Sequence, residues 1–323
     1  MPWRIPARFG ALLLVAVALS ACAWFPSPQE PPYRLIKTWG GPGDGPGRFN
    51  APTGVAVSAS EVFVSDSRNH RIQVFDFDGA FKREFGAGRL ERPMNIALAG
   101  GELYVADFFA DRIQVFTLAG EFLRAIGRPG RGPGEFDAPG GVAVGKNGDV
   151  YVADFYNQRV QHLDRHGRFI RQWGASRESG ILAGRFNYPT DVALAPDGTL
   201  YVADGYNDRV QVFGADGRFL RKWGGPLAMN VHGPFNGWFA TVTGIAVDQQ
   251  AQVWVADFYN DRVQKFRSDG TFLNVFGVAG EGEKHTAVAV AVARDGTVFV
   301  ADYGHHAIQK WRLEEENETG QGN

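Results

Sequence analysis

Residues 150–174 read VYVADFYNQRVQHLDRHGRFIRQWG, and this stretch decides the fold. Apolar and polar residues alternate through VYVAD (150–154), RVQHL (159–163) and RFIRQWG (168–174), with short breaks at FYNQ and DRHG. A period of two gives a strand with one face packed and the other looser, and Gly-containing breaks give hairpins. The preceding GVAV (141–144) and KNGD (146–149) add one more strand and turn, completing a four-stranded antiparallel meander. Such a unit cannot hide both of its faces alone, so it must stack on copies of itself.

The copies are present. Asp154 is one of six acids that each close an apolar run, with Asp66, Asp107, Asp204, Asp257 and Asp302, spaced 41 to 53 residues apart. Six such units predict an all-β, six-bladed propeller of four-stranded antiparallel blades. The last unit stops at AIQKWRL (307–313) and lacks the outer strand that another unit writes as RFLRKWG (218–224). YRLIKTWG (33–40) supplies it, so the N-terminal strand completes the last blade, closes the ring and removes exposed edges. The propeller is expected over 33–313. A composition of 44% hydrophobic residues with 42 Gly suits a large core cut by many tight turns.

GPGRFNAPTGVAV (45–57) and VSDSRNHRIQVF (64–75) resemble the NHL repeat, and the resemblance runs through all six units, about 280 residues. It implies a propeller, but propellers of this family host protein binding, RNA binding and a metal-dependent lyase, so it implies no single activity. The family's amidating lyases hold zinc with His at the start of inner strands. The matching positions here are Thr53, Met94, Gly140, Thr190, Thr243 and Val288, none of them His. That activity is not carried over.

The ends point to an address. Arg4 and Arg8 precede FGALLLVAVAL (9–19), which reads as a secretory signal too short to be a comfortable membrane span. Leu19-Ser20-Ala21-Cys22 resembles the lipobox of bacterial lipoproteins. That resemblance implies removal of 1–21 and acylation of Cys22, the sole cysteine, which leaves none for a disulfide. Residues 22–32 follow as lipidated Cys and Pro-rich tether; WFPSPQEPP (24–32), in polyproline II, spans roughly 25–30 Å. EEENETGQGN (314–323) reads as a disordered acidic tail. The expected location is a bacterial cell envelope, lipid-anchored, periplasm-facing or surface-exposed. Ala23, rather than Asp, is similar to lipoproteins sorted to an outer membrane, where the organism has one. Without Arg4 and Arg8 the body carries a charge of −4 against −2 for the whole chain, which gives no electrostatic reason to seek nucleic acid.

A catalytic group is needed once, whereas the acid of each blade recurs with an arginine five residues on: Arg71, Arg112, Arg159, Arg209 and Arg262. The Asp–Arg pair therefore reads as scaffold, a carboxylate that accepts turn N–H groups and pairs with the cation. The same face carries every long inter-blade loop, so binding is expected there. Phe109, Tyr156, Tyr206, Tyr259 and Tyr303 put aromatics around that face. Residues 226–240 carry extra length, expected to bring Trp238 or Phe239 to the central channel as a plug or a ligand contact. Asn95 and Asp191 stand where other inner strands have Gly and are expected to project into the channel. His70, His305 and His306 fall in turns of neighbouring blades but too far apart for one zinc ion. No catalytic residue and no cofactor is assigned. The expected function is a non-enzymatic binding module with a monomeric body, taking an envelope protein or peptide, or a carbohydrate. The alternative is a metal-dependent lyase or hydrolase with a divalent cation on Asp191 and Asn95 in the channel.

Overall fold

The computed structural model describes residues 26–277 and 286–314. The expected signal sequence, the lipobox-like stretch with Cys22 and the tail beyond Glu314 lie outside the described residues. Six antiparallel sheets of four strands stand around one axis. Blade three shows the pattern: Pro139–Val144 innermost, then Val150–Asp154, Arg159–Leu163 and Phe169–Gly174. The innermost strands of successive blades pack side by side, and the apolar clusters of the core lie between neighbouring blades.

Ring closure follows the sequence reading. Tyr33–Gly40 pairs antiparallel with Ala307–Leu313, from Tyr33 opposite Leu313 to Gly40 opposite Ala307. Tyr33 packs edge-on against Trp254 at 5.4 Å and Trp39 against Phe75 and Phe299, so one strand ties blade six to both neighbours.

One aromatic per long linker wedges the blades apart at a fixed spacing. Phe49, Phe136, Phe186 and Phe239 are each fully buried behind the glycine that ends the preceding outer strand. At Gly127 the backbone is left-handed (φ +85°) and a Cβ would stand 2.2 Å from the Phe136 ring. Only glycine meets both conditions.

The tether departs from expectation. Residues 26–32 are fastened along blade five instead of projecting. Gln29 donates its N–H to the Leu273 carbonyl (2.7 Å), Asn274 donates to Pro31 O (2.6 Å), Asn236 donates to Pro26 O (2.9 Å), and Lys265 pairs with Glu30 at 2.8 Å. At the other end, Glu314 N–H reaches Pro32 O.

Candidate functional site

The repeated acid builds a clamp on each linker. Asp204 Oδ1 accepts the N–H of Asn187; its Oδ2 accepts from Asn207, Arg209 Nε and Gln211 at 2.7–2.9 Å. Arg209 then donates to the carbonyls of Leu182 and Arg185, which belong to the linker. Asp66, Asp154 and Asp257 repeat this with Arg71, Arg159 and Arg262. Each side chain of the cassette is thus a tool for satisfying linker backbone that would otherwise be buried without partners. Burial pushes the carboxyls of Asp154 and Asp204 above the usual range and that of Asp257 up to about 6.

Two blades break the pattern. Arg112 does not pair with Asp107, contrary to the sequence reading; its Nε is buried without a partner, and Asp107 is held by Gln114 and by the N–H groups of Glu91 and Arg92. The physical cause is local: Ala110 replaces the asparagine and the linker before Pro93 is short, so there are fewer carbonyls to hold. In blade six Ala307 stands where others have Arg, and His305 contacts Asp302 at 3.0 Å in the asparagine's place. His306 Nδ1 accepts from Ala51 N, and His70 Nδ1 lies 2.5 Å from Glu91 O, so the three histidines each serve a separate contact.

The channel narrows at one ring of residues. Gly54, Gly141 and Gly244 press against neighbouring inner strands, with Asn95 and Asp191 between them. Asn95 Nδ2 reaches 3.5 Å toward Thr243 O on the opposite blade, and Asp191 Oδ2 accepts the Ile245 N–H at 3.0 Å. Both side chains are spent on closing the neck. Burial pushes Asp191 up to about 8 despite the N–H donors of Ile245 and Val192. A carboxyl raised in the folded state binds its proton more tightly there, so its contribution is full below the unfolded value near 3.8 and is lost as pH rises through about 8. Chemical denaturation should therefore show stability falling from pH 6 to 8, and Asp191→Asn should flatten that limb. An unchanged slope would refute the assignment.

On the long-loop face the aromatic side chains touch one another. Phe109 touches Phe108, which touches Phe155 and Tyr156; these touch Tyr188, which touches Tyr206, at centroid distances of 4.8–6.1 Å. Tyr259, Phe258 and Tyr303 form a second run. Phe109, Tyr156, Tyr206 and Tyr259 are about half exposed or more. Two arginines complete the mouth. Arg68 donates to the Tyr303 hydroxyl (3.3 Å), and the Arg92 guanidinium lies 5.5 Å from the Phe109 ring centre. Burial, and then the charge of Arg68, lower the Arg92 pKa. Neither has a carboxylate partner among the described residues.

The expectation fails for Phe239. Asp257 captures the Ala240 N–H as Asp66 captures Asn50, so Phe239 is the counterpart of Phe49: fully buried, 5.7 Å from Phe266, and neither plug nor ligand contact. Trp238 lies over Gly233 and against Phe235. The extra residues come earlier, between Gly224 and Gly233, where the loop carries Leu227, Met229 and Val231 to solvent.

A cavity of about 1320 Å³ opens on the opposite face. Short turns of blades three to six line it with mixed charge, among them Lys146, Asp197, Asp248 and Arg294. Sequence reasoning did not point there, nor to Tyr188, Arg68 and Arg92, whose loops meet only once the ring is closed.

The NHL repeat signature matches residues 49–75, 136–163, 186–213 and 239–266. The chain carries NHL repeats. All four run from the buried Phe through the Asp–Asn–Arg–Gln cassette, in blades one, three, four and five; the two blades with a broken cassette are those without a match. An NHL repeat of this kind is thus defined by its linker clamp. Short segments are similar to Protein brain tumor of Drosophila melanogaster (54% identical over 41 residues) and to B-box type zinc finger protein ncl-1 of Caenorhabditis elegans (54% over 37). These cover 12% and 11% of this chain, and the chain spans only 4% of the length of either relative. Among solved structures, a streptogramin B lyase superposes with a TM-score of 0.60 at 16% identity, covering 87% of this chain and 98% of that one. A virginiamycin B lyase from Staphylococcus aureus gives 0.56 at 16%, covering 87% and 100%. A structure from Bacteroides thetaiotaomicron gives 0.66 at 17%, covering 87% and 76%. At these identities the likeness is one of fold.

Proposed function

We propose that this chain is a non-enzymatic binding module of a bacterial cell envelope, anchored through an acylated Cys22, that takes a protein or peptide at the aromatic mouth of its long-loop face. The observation that carries this reading is the unbroken run of touching rings from Phe109 to Tyr206, in which Phe109, Tyr156 and Tyr206 are about half exposed or more and Phe108, Phe155 and Tyr188 are partly buried between them. Gathered aromatic surface on a soluble body marks a place that a partner covers. Arg68 and Arg92 add the charge preference: a ligand with apolar or aromatic groups beside a carboxylate. A carbohydrate stacks on the same rings but leaves two cations unanswered.

The test is fluorescence anisotropy against an array of acidic, aromatic-containing peptides. Tyr156→Ala with Tyr206→Ala should weaken the best binders about tenfold or more, as loss of central aromatic contacts does. Arg68→Ala with Arg92→Ala should also remove most of the salt dependence. Equal binding by all three chains sinks the reading. Anchoring is checked separately by intact mass of the membrane fraction, where a retained Met1 or an unmodified Cys22 refutes it.

A channel catalyst is less well supported. The neck offers one carboxyl, fully buried and neutral to about pH 8, and among the described residues no group of three or more His, Cys, Asp or Glu is placed to hold a metal. A hard divalent cation takes six or more oxygen ligands, so this donor set does not fit one. A tightly held stoichiometric metal in the purified chain would overturn the binding-module reading.

A further inference from the structure

We infer that the long-loop face is turned toward the bilayer, tilted so that the loops leading into blades four and five lie against the lipid headgroups. The inference rests on the anchored reading of Cys22 and adds an orientation to it.

Its first support is where the chain emerges. Pro26 sits on Asn236, in the loop leading into blade five, and residues 26–32 then run along that blade's outer strand toward Tyr33 at the short-turn side. The Glu30–Lys265 pair, with Lys265 largely buried, holds this course. Cys22 is four residues before Pro26. Extended chain spans at most about 3.6 Å per residue, so an acylated Cys22 keeps Asn236 within about 14 Å of the lipid surface. The intervening residues include Trp24 and Phe25, of which Trp is a type that settles at membrane interfaces.

Its second support is what surrounds that point. Leu182 and Leu227 are 70% and 81% exposed, and Ile181, Met229, Val231 and Phe235 are exposed beside them, all in the two loops that lead into blades four and five. Apart from the aromatics of the mouth, the exposed large apolar side chains elsewhere lie mostly along outer strands, such as Phe122–Leu123 and Phe169–Ile170. A monomer gathers apolar loops on one side where something apolar covers them. Here the chain's own anchor brings that surface within reach. The tilt sets the Tyr188–Tyr206 end of the mouth nearest the headgroups and leaves its Phe109–Tyr156 end, with Arg68 and Arg92, open to a ligand in the gap.

The full chain, reconstituted in vesicles of phosphatidylethanolamine and phosphatidylglycerol, tests this with a spin label on Leu227→Cys or on Gln249→Cys in a short turn of the opposite face. The parent chain should take no label, since its cysteine is acylated. The expected result is that the Leu227 label collides mainly with lipid-soluble oxygen, and the Gln249 label mainly with a water-soluble nickel chelate. If the chain sediments with vesicles but both labels meet the chelate equally, the orientation is wrong and the anchor stands. If the Leu227 label is shielded from both reagents, protein covers the loops, a second copy or the chain's own N-terminal segment, and the inference falls. A chain that fails to sediment, with a parent that accepts label, overturns the anchor and the orientation together.

Discussion

A body that begins at residue 41 should fail to give the cooperative thermal transition that one beginning at residue 26 gives. Removing Tyr33–Gly40 strips the whole outer strand from blade six and bares the hydrogen-bonding edge of Ala307–Leu313. It also removes Tyr33 from between Trp254 and Phe276, and Trp39 from between Phe75 and Phe299. Loss of one large buried aromatic costs about 3–5 kcal/mol, and a domain's whole stability is about 5–15 kcal/mol. The shortened body is therefore expected to be largely unfolded or aggregated at 25 °C, with the open edge as the site of association. Circular dichroism melts and light scattering read both outcomes. A cooperative melt within a few degrees of the longer body would show that the ring does not depend on its closing strand.

The second large effect is expected from the clamp. Arg209 and Asp204 are both fully buried, and Arg209→Ala leaves the carboxylate without its cation and takes one donor from each of the linker carbonyls of Ile181, Leu182 and Arg185. Breaking such a pair from one side costs roughly 3–5 kcal/mol, which lowers Tm by about 10 °C in a chain of this size. Arg112→Ala in blade two is the matched control. It removes the same side chain from the same place in a blade but breaks no ion pair, so its cost should stay under about 1 kcal/mol. Equal losses in the two variants would mean that the arginines contribute by packing alone, and that the clamp has been assigned the wrong physics.

The fold was legible because it is written six times. An alternation too short to be trusted in one blade becomes decisive when Asp66, Asp107, Asp154, Asp204, Asp257 and Asp302 all end such a run, and the missing strand after Leu313 is visible at Tyr33. The site was legible only where it shares that period. Phe109, Tyr156, Tyr206 and Tyr259 each stand two residues after the acid in blades two to five, so their gathering at one face could be read. Phe239 was misplaced because Phe235-Asn236 imitates Phe49-Asn50; the true register depends on which N–H the buried carboxylate of Asp257 captures, and no letter in the sequence states that. Arg112 carried a signal that could have been used, since Ala110 breaks the Asp–Asn–Arg set. Arg68 and Arg92 carried none, because they come from different repeats and meet only when the ring brings their loops together.

The path of residues 26–40 has a mechanical consequence. The chain runs along blade five from Pro26 to Tyr33, reverses, and returns as the closing strand to Gly40. Tension applied upstream of Pro26 is met first by the contacts of 26–32, lying along the line of pull and loaded together in shear. Once those yield, the force transfers to Tyr33 and peels the closing strand from its end, one residue pair at a time, the geometry in which a sheet resists least. Glu30–Lys265 and Asn274–Pro31 therefore act as a strain relief, keeping a tug on the N-terminus from reaching the seam that holds the ring shut.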